Sequence, residues 1–369
     1  MTEFPILQFG ASRFLQAHVD LFVSEALPRG EAMGRIAVAG TTGSPESRRR
    51  IAAFAAGKPY PVLVKGLSDG AVVNEKVEVK SVSAGVDAAT QWEELERLFI
   101  AARCAVSNTA DRGYEIDSDD RPDDGPPRSF PAKLAKLLLA RHRAGADPIT
   151  LFPCELTPTN GQVLRGVVLD MLDRWQAPAD ARRWVGEGCI WVNSLVDRIV
   201  SEPLEPLGAV AEPYALWAIE DQPGLELPCR HPAIVVAADL KPYERLKLFI
   251  LNLGHTYLAE LWAKEGGAPG LTVREAVADT TMRAKLDALY ADEVMPVFAA
   301  IGMGDEAETY LQTVIERFSN PFLDHRLSEI FTNHEAKKQR RFGGLIELAR
   351  TNGVSVKQPG LKAALADGL

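Results

Sequence analysis

The sequence predicts an α/β protein: a parallel-sheet N-terminal domain with extra strands, residues 1–238, and an all-α C-terminal domain, residues 239–369. Short apolar or β-branched runs alternate with helical patterns in the first half, as when strands are joined by covering helices. From Lys241 onward the strand signals vanish and helical patterns follow one another to the end. At roughly 150 residues per domain, a chain of 369 residues has room for two cores.

Taken in order, Ile6 to Phe9 reads as a first strand and Phe14 to Ala26 as a helix, with Phe14, Leu15, Val19, Leu21, Phe22 and Ala26 on its apolar positions. Ile36 to Ala39 is the second strand, and a basic helix follows around Arg48 to Ala56. The stretches Val62 to Val64 and Val72 to Val82 alternate in polarity and suggest an antiparallel insertion or an extra sheet edge. Trp92 to Ala102 is helical, Cys104 to Val106 is a buried strand ending at Ser107-Asn108-Thr109, and Asp117 to Arg128 is an acidic, proline-rich surface loop. A helix at Ala132 to Arg143 and a strand at Ile149 to Phe152 come next. The C-terminal helices are read at Pro242 to Lys264, Val273 to Ala276, Met282 to Ala300, Glu306 to Phe318 and Glu335 to Thr351.

Composition narrows the function. With 41 basic against 50 acidic side chains the net charge is −9, which argues against a nucleic-acid surface as the main partner. The opening Met1-Thr2-Glu3-Phe4-Pro5 lacks the basic and apolar regions of a secretion signal, and no run approaches the roughly 20 apolar residues of a membrane span. The expected setting is the cytoplasm, with no membrane partner; oligomeric state is not legible in one chain. Cys104, Cys154, Cys189 and Cys229 form no CxxC, and the six histidines show no HxxxH or HExxH spacing, so metal-free chemistry is expected.

Two places carry chemistry. The first strand runs into Gly10-Ala11-Ser12-Arg13-Phe14 and a helix, the kind of turn at which backbone approaches a phosphate. Only one glycine of GxGxxG remains, so a plain strand-to-helix connection stays open as the alternative. The second strand of a dinucleotide fold normally ends near an acidic residue that takes the ribose hydroxyls. Here Gly40-Thr41-Thr42-Gly43-Ser44 has none, and Arg48, Arg49 and Arg50 follow, able to meet a 2′-phosphate or simply to form a solvated helix face.

The second place is Glu244 to Trp262, whose middle is apolar all round apart from Lys247, Asn252 and His255. On an α-helix Asn252 lies about 140° and His255 about 80° around the axis from Lys247, so all three can project toward one side. A lysine taken out of water serves as a general acid or base, an asparagine amide donates to a developing alkoxide, and a histidine orients the reacting oxygen. The bland alternative has Lys247 snorkelling to water and His255 satisfied in the core.

The spacing Lys247, Asn252, His255 resembles the catalytic signature of the mannitol dehydrogenase family, the polyol-specific long-chain dehydrogenases. Further resemblances fall in order: QFGASRFLQAHVD (Gln8 to Asp20), VSNTADRGY (Val106 to Tyr114), PCELTPTNG (Pro153 to Gly161), NSLVDRIV (Asn193 to Val200) and RFSNPFLDH (Arg317 to His325). The resemblance implies a Rossmann-type N-terminal domain, a helical C-terminal domain and an active site between them. It implies NAD as cofactor, with NADP still open, bound by Phe9, Gly10, Ala11, Arg13, Phe14, Thr41, Ser107, Asn108 and Thr109. It makes Lys247 the acid/base, Asn252 the alkoxide donor and His255 the holder of the substrate oxygen, with Asn160, Asp197, Arg198, Arg317 and His325 around the substrate.

Two departures stand out: Leu156 replaces an asparagine of the CDN-type motif, leaving Asn160 as the replacement amide donor, and the SNTTE pattern reads Ser107-Asn108-Thr109-Ala110-Asp111. PCEL, NPFLDH and the stretch Asn333 to Arg341 are more similar to the hexuronate branch, the tagaturonate and fructuronate reductases. Lys337 and Arg341, four apart on a helix, would clamp the carboxylate that a uronate carries and a polyol lacks, unless they are a solvated basic face. The expectation is an oxidoreductase for a small sugar acid, tagaturonate/altronate first. Fructuronate reduction and a mannitol or arabinitol dehydrogenase are the near alternatives, a non-catalytic nucleotide sensor or a methyltransferase the remote ones.

Overall fold

The computed structural model describes residues 3–109 and 113–366, and the chain divides into two compact units. The first takes the chain through Val64, Glu75–Ala211 and Ala215–Leu240; the second takes Lys65–Asn74, Glu212–Tyr214 and the chain from Lys241. The sequence reading leaves the two short segments in the N-terminal domain. Local bonding gathers them with the helices instead: Glu316 accepts from the Asp69 and Gly70 amides at 3.2 and 2.7 Å, and Glu212 pairs with Arg317 at 2.9 Å.

In the first unit β1 (Ile6–Phe9), β2 (Ile36–Gly40), β5 (Val82–Asp87), β6 (Cys104–Ser107), β7 (Thr150–Pro153) and β8 (Ile190–Trp191) form one sheet in the order β5-β2-β1-β6-β7-β8. All its pairs are parallel, with Ile6 opposite both Ile36 and Cys104. Counted within the sheet the order is 3-2-1-4-5-6, that of doubly wound dinucleotide folds. Its strands read as unbroken apolar runs because helices cover both faces: β1, β2, β6 and β7 are buried at every position.

The expected insertion is real. β3 (Tyr60–Ser68) and β4 (Ala71–Val79) meet at Asp69-Gly70, whose φ values of 52° and 76° are those of a tight hairpin turn. With β10 (Val200–Pro203) and β11 (Ala209–Ala211) they make a four-stranded sheet, and β9 (Ser194–Asp197), β12 (Leu216–Glu220) and β13 (Ile234–Ala237) make a third. Neither β5 as a strand of the main sheet, nor β8, nor any strand after it was legible in the sequence.

The helix expected over Phe14 to Ala26 is two, Arg13–Gln16 and Val19–Ala26, broken at Ala17 and His18. Partners pull the chain out of register there: Arg198 Nη1 donates to Ala17 O at 2.6 Å, and His18 Nε2 meets Leu216 O at 3.1 Å. The second unit is helical apart from the hairpin tip, and the long helices of the sequence reading are interrupted by π turns at Lys247–Asn252, Tyr290–Val294 and Gln339–Gly343. Its core gathers Ile250, Leu253, Leu258, Tyr290, Phe298, Phe318 and Phe342 among others. Among the described residues no helix is long and apolar enough to cross a membrane.

Candidate active site

In the first unit the turn after β1 is built around Gly10, whose φ is 108°. A Cβ there would lie 2.7 Å from Asn108 O, so only glycine lets the β1 and β6 ends approach this closely. A cleft of about 430 Å³ opens beside it, within the range of small-molecule sites, lined by Gly10, Ala11, Thr41, Asn108 and Thr109. Five of the nine cofactor residues expected from sequence thus meet in one place.

The other four do not line it. Phe9 lies in the core between the rings of Phe99 and Phe130, at 6.1 and 5.4 Å, because its side chain points into the covered face of the sheet. Ser107 is buried and bonds Glu155 at 3.1 Å, Phe14 stacks on His18 at 4.7 Å, and Arg13 is exposed outside the cleft. The cleft is also lined by Ser12, Thr42 and Ser44 from the two turns the sequence singled out and by Arg50, one of the three arginines it offered to a 2′-phosphate, while Glu46, Ser47 and the Arg128-Ser129-Phe130 entry to the Phe130–Arg143 helix were missed. Ser44 was findable as the N-cap before Pro45, accepting from Ser47 N–H at 3.1 Å.

These linings fit a dinucleotide: a cradle that a Cβ would fill, with hydroxyls and an amide suited to ribose and phosphate oxygens. Two of the three arginines after β2 are already engaged by carboxylates, Arg48 with Asp87 at 3.2 Å and Arg50 with Glu46 at 2.6 Å.

The Asn160 expectation is overturned. Its amide nitrogen lies 3.0 Å from Pro153 O, Glu155 O and Ser194 O, and its Oδ1 accepts from Gly161 and Ser194 N–H, both at 2.9 Å. Fully buried, it clips the end of β7 to the start of β9 and has no amide hydrogen left for a ligand. Leu156 is 73% exposed, while Ala110 and Asp111 lie outside the described residues. Asp197 and Arg198 are both buried at the end of β9, Arg198 with one nitrogen on Ala17 O.

In the second unit Lys247, Asn252 and His255 lie on one stretch of helix, which is not uniformly engulfed: Lys247 and Asn252 are half-buried and His255 is buried. The stretch from Lys247 to Asn252 is a π turn, and Leu253 N–H reaches back five residues to Leu248 O. In that register residues five apart come round to nearly the same side, so Asn252 lies closer to Lys247 in azimuth than the 140° of an α-helix. The turn also lays the Asn252 carbonyl open to extra donors, Thr256 Oγ1 at 3.1 Å and Arg341 Nη1 at 3.0 Å.

Around His255 stand the rings of Phe318 at 4.4 Å and His325 at 4.9 Å. Burial pushes the His325 pKa down, opposed by Glu329 and reinforced by the Lys337 charge, and its buried Nδ1 has no hydrogen-bond partner among the described residues. Lys337 donates to Ile330 O at 2.7 Å, and its pKa is lowered by burial and by Arg341. Arg341 is pushed down to about 10 by burial and by Arg340. The π turn Gln339–Gly343 starts between Lys337 and Arg341, so their α-helical i,i+4 relation does not hold as expected.

Arg317, expected at the substrate, has its fork on Glu212, Nε at 3.0 Å and Nη2 at 2.9 Å, with the Tyr214 ring 4.3 Å away. That bidentate buried pair is a structural link of the second unit, since a carboxylate and an aromatic face already occupy the guanidinium.

The sheet order, the glycine cradle and the lysine-bearing helix define a Rossmann-type dehydrogenase with a helical second unit. The Rossmann-domain model of the mannitol dehydrogenases matches residues 5–228, and the mannitol dehydrogenase C-terminal domain model matches residues 239–365. The chain belongs to the mannitol dehydrogenase family and is an oxidoreductase acting on CH–OH groups. An altronate oxidoreductase of Bacillus subtilis (strain 168) is 32% identical over 379 residues, covering 95% of this chain and 77% of that protein. One of Klebsiella pneumoniae (strain 342) is 31% identical over 363 residues, covering 91% and 73%. Among solved structures, a substrate-free D-sorbitol dehydrogenase superposes with a TM-score of 0.83 at 21% identity, over 99% of this chain and 80% of that one. The Pseudomonas fluorescens mannitol 2-dehydrogenase in ternary complex with NAD and D-mannitol gives 0.74 at 22% identity, over 99% and 79%.

Proposed function

We propose that this protein is a cytoplasmic, NAD-dependent oxidoreductase that interconverts a keto sugar acid and its secondary alcohol, with tagaturonate and altronate as the first pair to test. The observation that carries the substrate class is the basic pair beside the catalytic helix. Lys337 and Arg341 are half-buried, and among the described residues neither has a carboxylate partner, while Arg341 bonds the backbone of Asn252. Half-buried cations without a counter-ion are unfavourable until an anion completes them. A uronate brings such an anion and a neutral polyol does not. The altronate oxidoreductases at 31–32% identity support the same reading.

NAD, when bound, supplies the hydride acceptor for alcohol oxidation. Gly10, Ala11, Thr41, Asn108 and Thr109 would hold it, and the pairing of Arg48 and Arg50 with carboxylates favours NAD over NADP. On the protein side Lys247 takes the hydroxyl proton and returns it on reduction. The Asn252 amide donates to the oxygen as negative charge develops, and His255 fixes the position of that oxygen. The Nδ1 of His325, without a hydrogen-bond partner among the described residues, is offered to a neighbouring substrate hydroxyl.

The test follows loss of reduced-cofactor absorbance, NADH and NADPH in parallel, with tagaturonate, fructuronate, fructose and ribulose. Turnover confined to a uronate with NADH is expected. Comparable rates on neutral ketoses would move the protein to the polyol reading, and silence with every substrate would overturn the proposed activity.

A further inference from the structure

Glu155, two residues after β7, is buried, and its carboxylate gathers four donors from the last residue of β6 and the segment that follows it. Oε1 accepts from the Thr109 N–H at 2.9 Å and from Thr109 Oγ1 at 3.0 Å. Oε2 accepts from Ser107 Oγ at 3.1 Å and from the Tyr114 hydroxyl at 3.0 Å. Between these anchors Asn108 is held separately, its amide donating to Cys154 O at 2.7 Å and its Oδ1 accepting from Ser12 Oγ at 3.2 Å. Asn108 and Thr109 line the cleft. The four donors to Glu155 are neutral, and among the described residues no cationic side chain pairs with it.

A buried carboxylate held only by neutral dipoles keeps its field at short range, because no opposite charge cancels it. In a sheet of this order the strands β6, β7 and β8 form the second mononucleotide half, which takes the nicotinamide end of the cofactor. We propose that Glu155 is a positioning residue of that half, and that its charge, met among the described residues by neutral donors alone, favours the oxidised, cationic nicotinamide over the neutral reduced ring. The inference rests on the NAD reading above. It explains why the position is acidic although no ligand atom needs to reach it: four hydrogen bonds fix the turn, and the charge they surround biases the cofactor equilibrium.

Isothermal titration of the purified protein with NAD⁺ and with NADH, separately and without substrate, tests this. In Glu155→Gln, binding of NAD⁺ should weaken by roughly tenfold more than binding of NADH, the size of one weakened charge interaction. An equal loss for both forms would reduce Glu155 to a structural role and overturn the proposal, as would no loss at all. Should Glu155→Gln fail to fold, Glu155→Asp keeps the charge and withdraws it by one methylene. A smaller drop in the same ratio is then expected, and an unchanged ratio overturns the proposal. Failure of the wild-type protein to bind either form would instead overturn the NAD reading itself.

Discussion

Arg341 donates through Nη1 to the carbonyl oxygen of Asn252 at 3.0 Å, and the same nitrogen reaches Thr256 Oγ1 at 2.5 Å. One guanidinium thereby braces the end of the π turn that sets the azimuth of Asn252. In the proposed reading it also faces the substrate carboxylate together with Lys337, and the two roles separate by mutation. Lys337→Met should cost only the anion preference, lowering kcat/KM for tagaturonate by about 10- to 100-fold, as one charge-assisted bond of roughly 1.5–3 kcal/mol implies. Rates on a neutral ketose should change by less than about threefold. Arg341→Met should lower kcat on both substrates as well, because Asn252 loses a brace. Steady-state kinetics on tagaturonate and fructose check both, and an unchanged uronate preference in Lys337→Met would remove the clamp.

Lys247 is the proposed acid/base. Lys247→Ala should lower kcat by about 10²- to 10⁴-fold, the usual worth of a positioned proton-transfer group. NADH affinity, measured by fluorescence without substrate, should stay within about twofold, since no cleft-lining residue changes. Robust residual turnover would take the role away from Lys247.

Four strands of the parallel sheet, the Gly10 turn and the trio Lys247, Asn252 and His255 were legible because each rests on local pattern: apolar runs, one glycine, three polar residues in an apolar stretch. The π turn was not. It shifts the register by one residue while keeping an apolar face, so Lys247 to Asn252 reads as ordinary helix although its hydrogen bonds close at i+5. Asn160 was misread for a related reason. An asparagine in a loop motif looks like a ligand donor, and only the fold reveals that Pro153, Glu155 and Ser194, up to 34 positions away, converge on it. The helix break at His18 depends on Leu216, 198 residues on, which no local window contains.

Asn160 yields a stability prediction. Removing its side chain takes a partner from the Gly161 and Ser194 amides and from the Glu155 and Ser194 carbonyls, each buried group costing about 1–3 kcal/mol if left unpaired, while Pro153 O keeps the Ser194 hydroxyl. Relaxation and water recover part of this, so Asn160→Ala should destabilise by about 2–4 kcal/mol, or roughly 4–8 °C in Tm for a unit of this size. Differential scanning calorimetry checks the shift. Protein that still folds should keep NADH binding within a few-fold, whereas normal Tm with lost substrate affinity would restore Asn160 as a ligand.

Asp20 sets a pH dependence with an unusual sign. Its carboxyl is fully buried, accepts from the Tyr60 hydroxyl at 2.7 Å, and has its pKa pushed up to about 7 from 3.8, burial outweighing the hydrogen bond from Tyr60. Between about pH 4 and 7 the folded chain therefore holds a proton that the unfolded chain has released, and stability must fall as pH rises through that window. Above about pH 7 the full cost of the buried charge is present and the dependence levels off. Asp20→Asn keeps the size and an acceptor for Tyr60 but cannot ionise. Relative to wild type its stability should thus improve steadily from pH 4 to pH 7 and then run parallel. Urea titrations of both proteins at pH 4, 5, 6, 7 and 8 measure that difference directly, with other titrating groups cancelling between them. A difference that stays flat from pH 4 to pH 8 would mean that Asp20 ionises at its ordinary pH despite its burial.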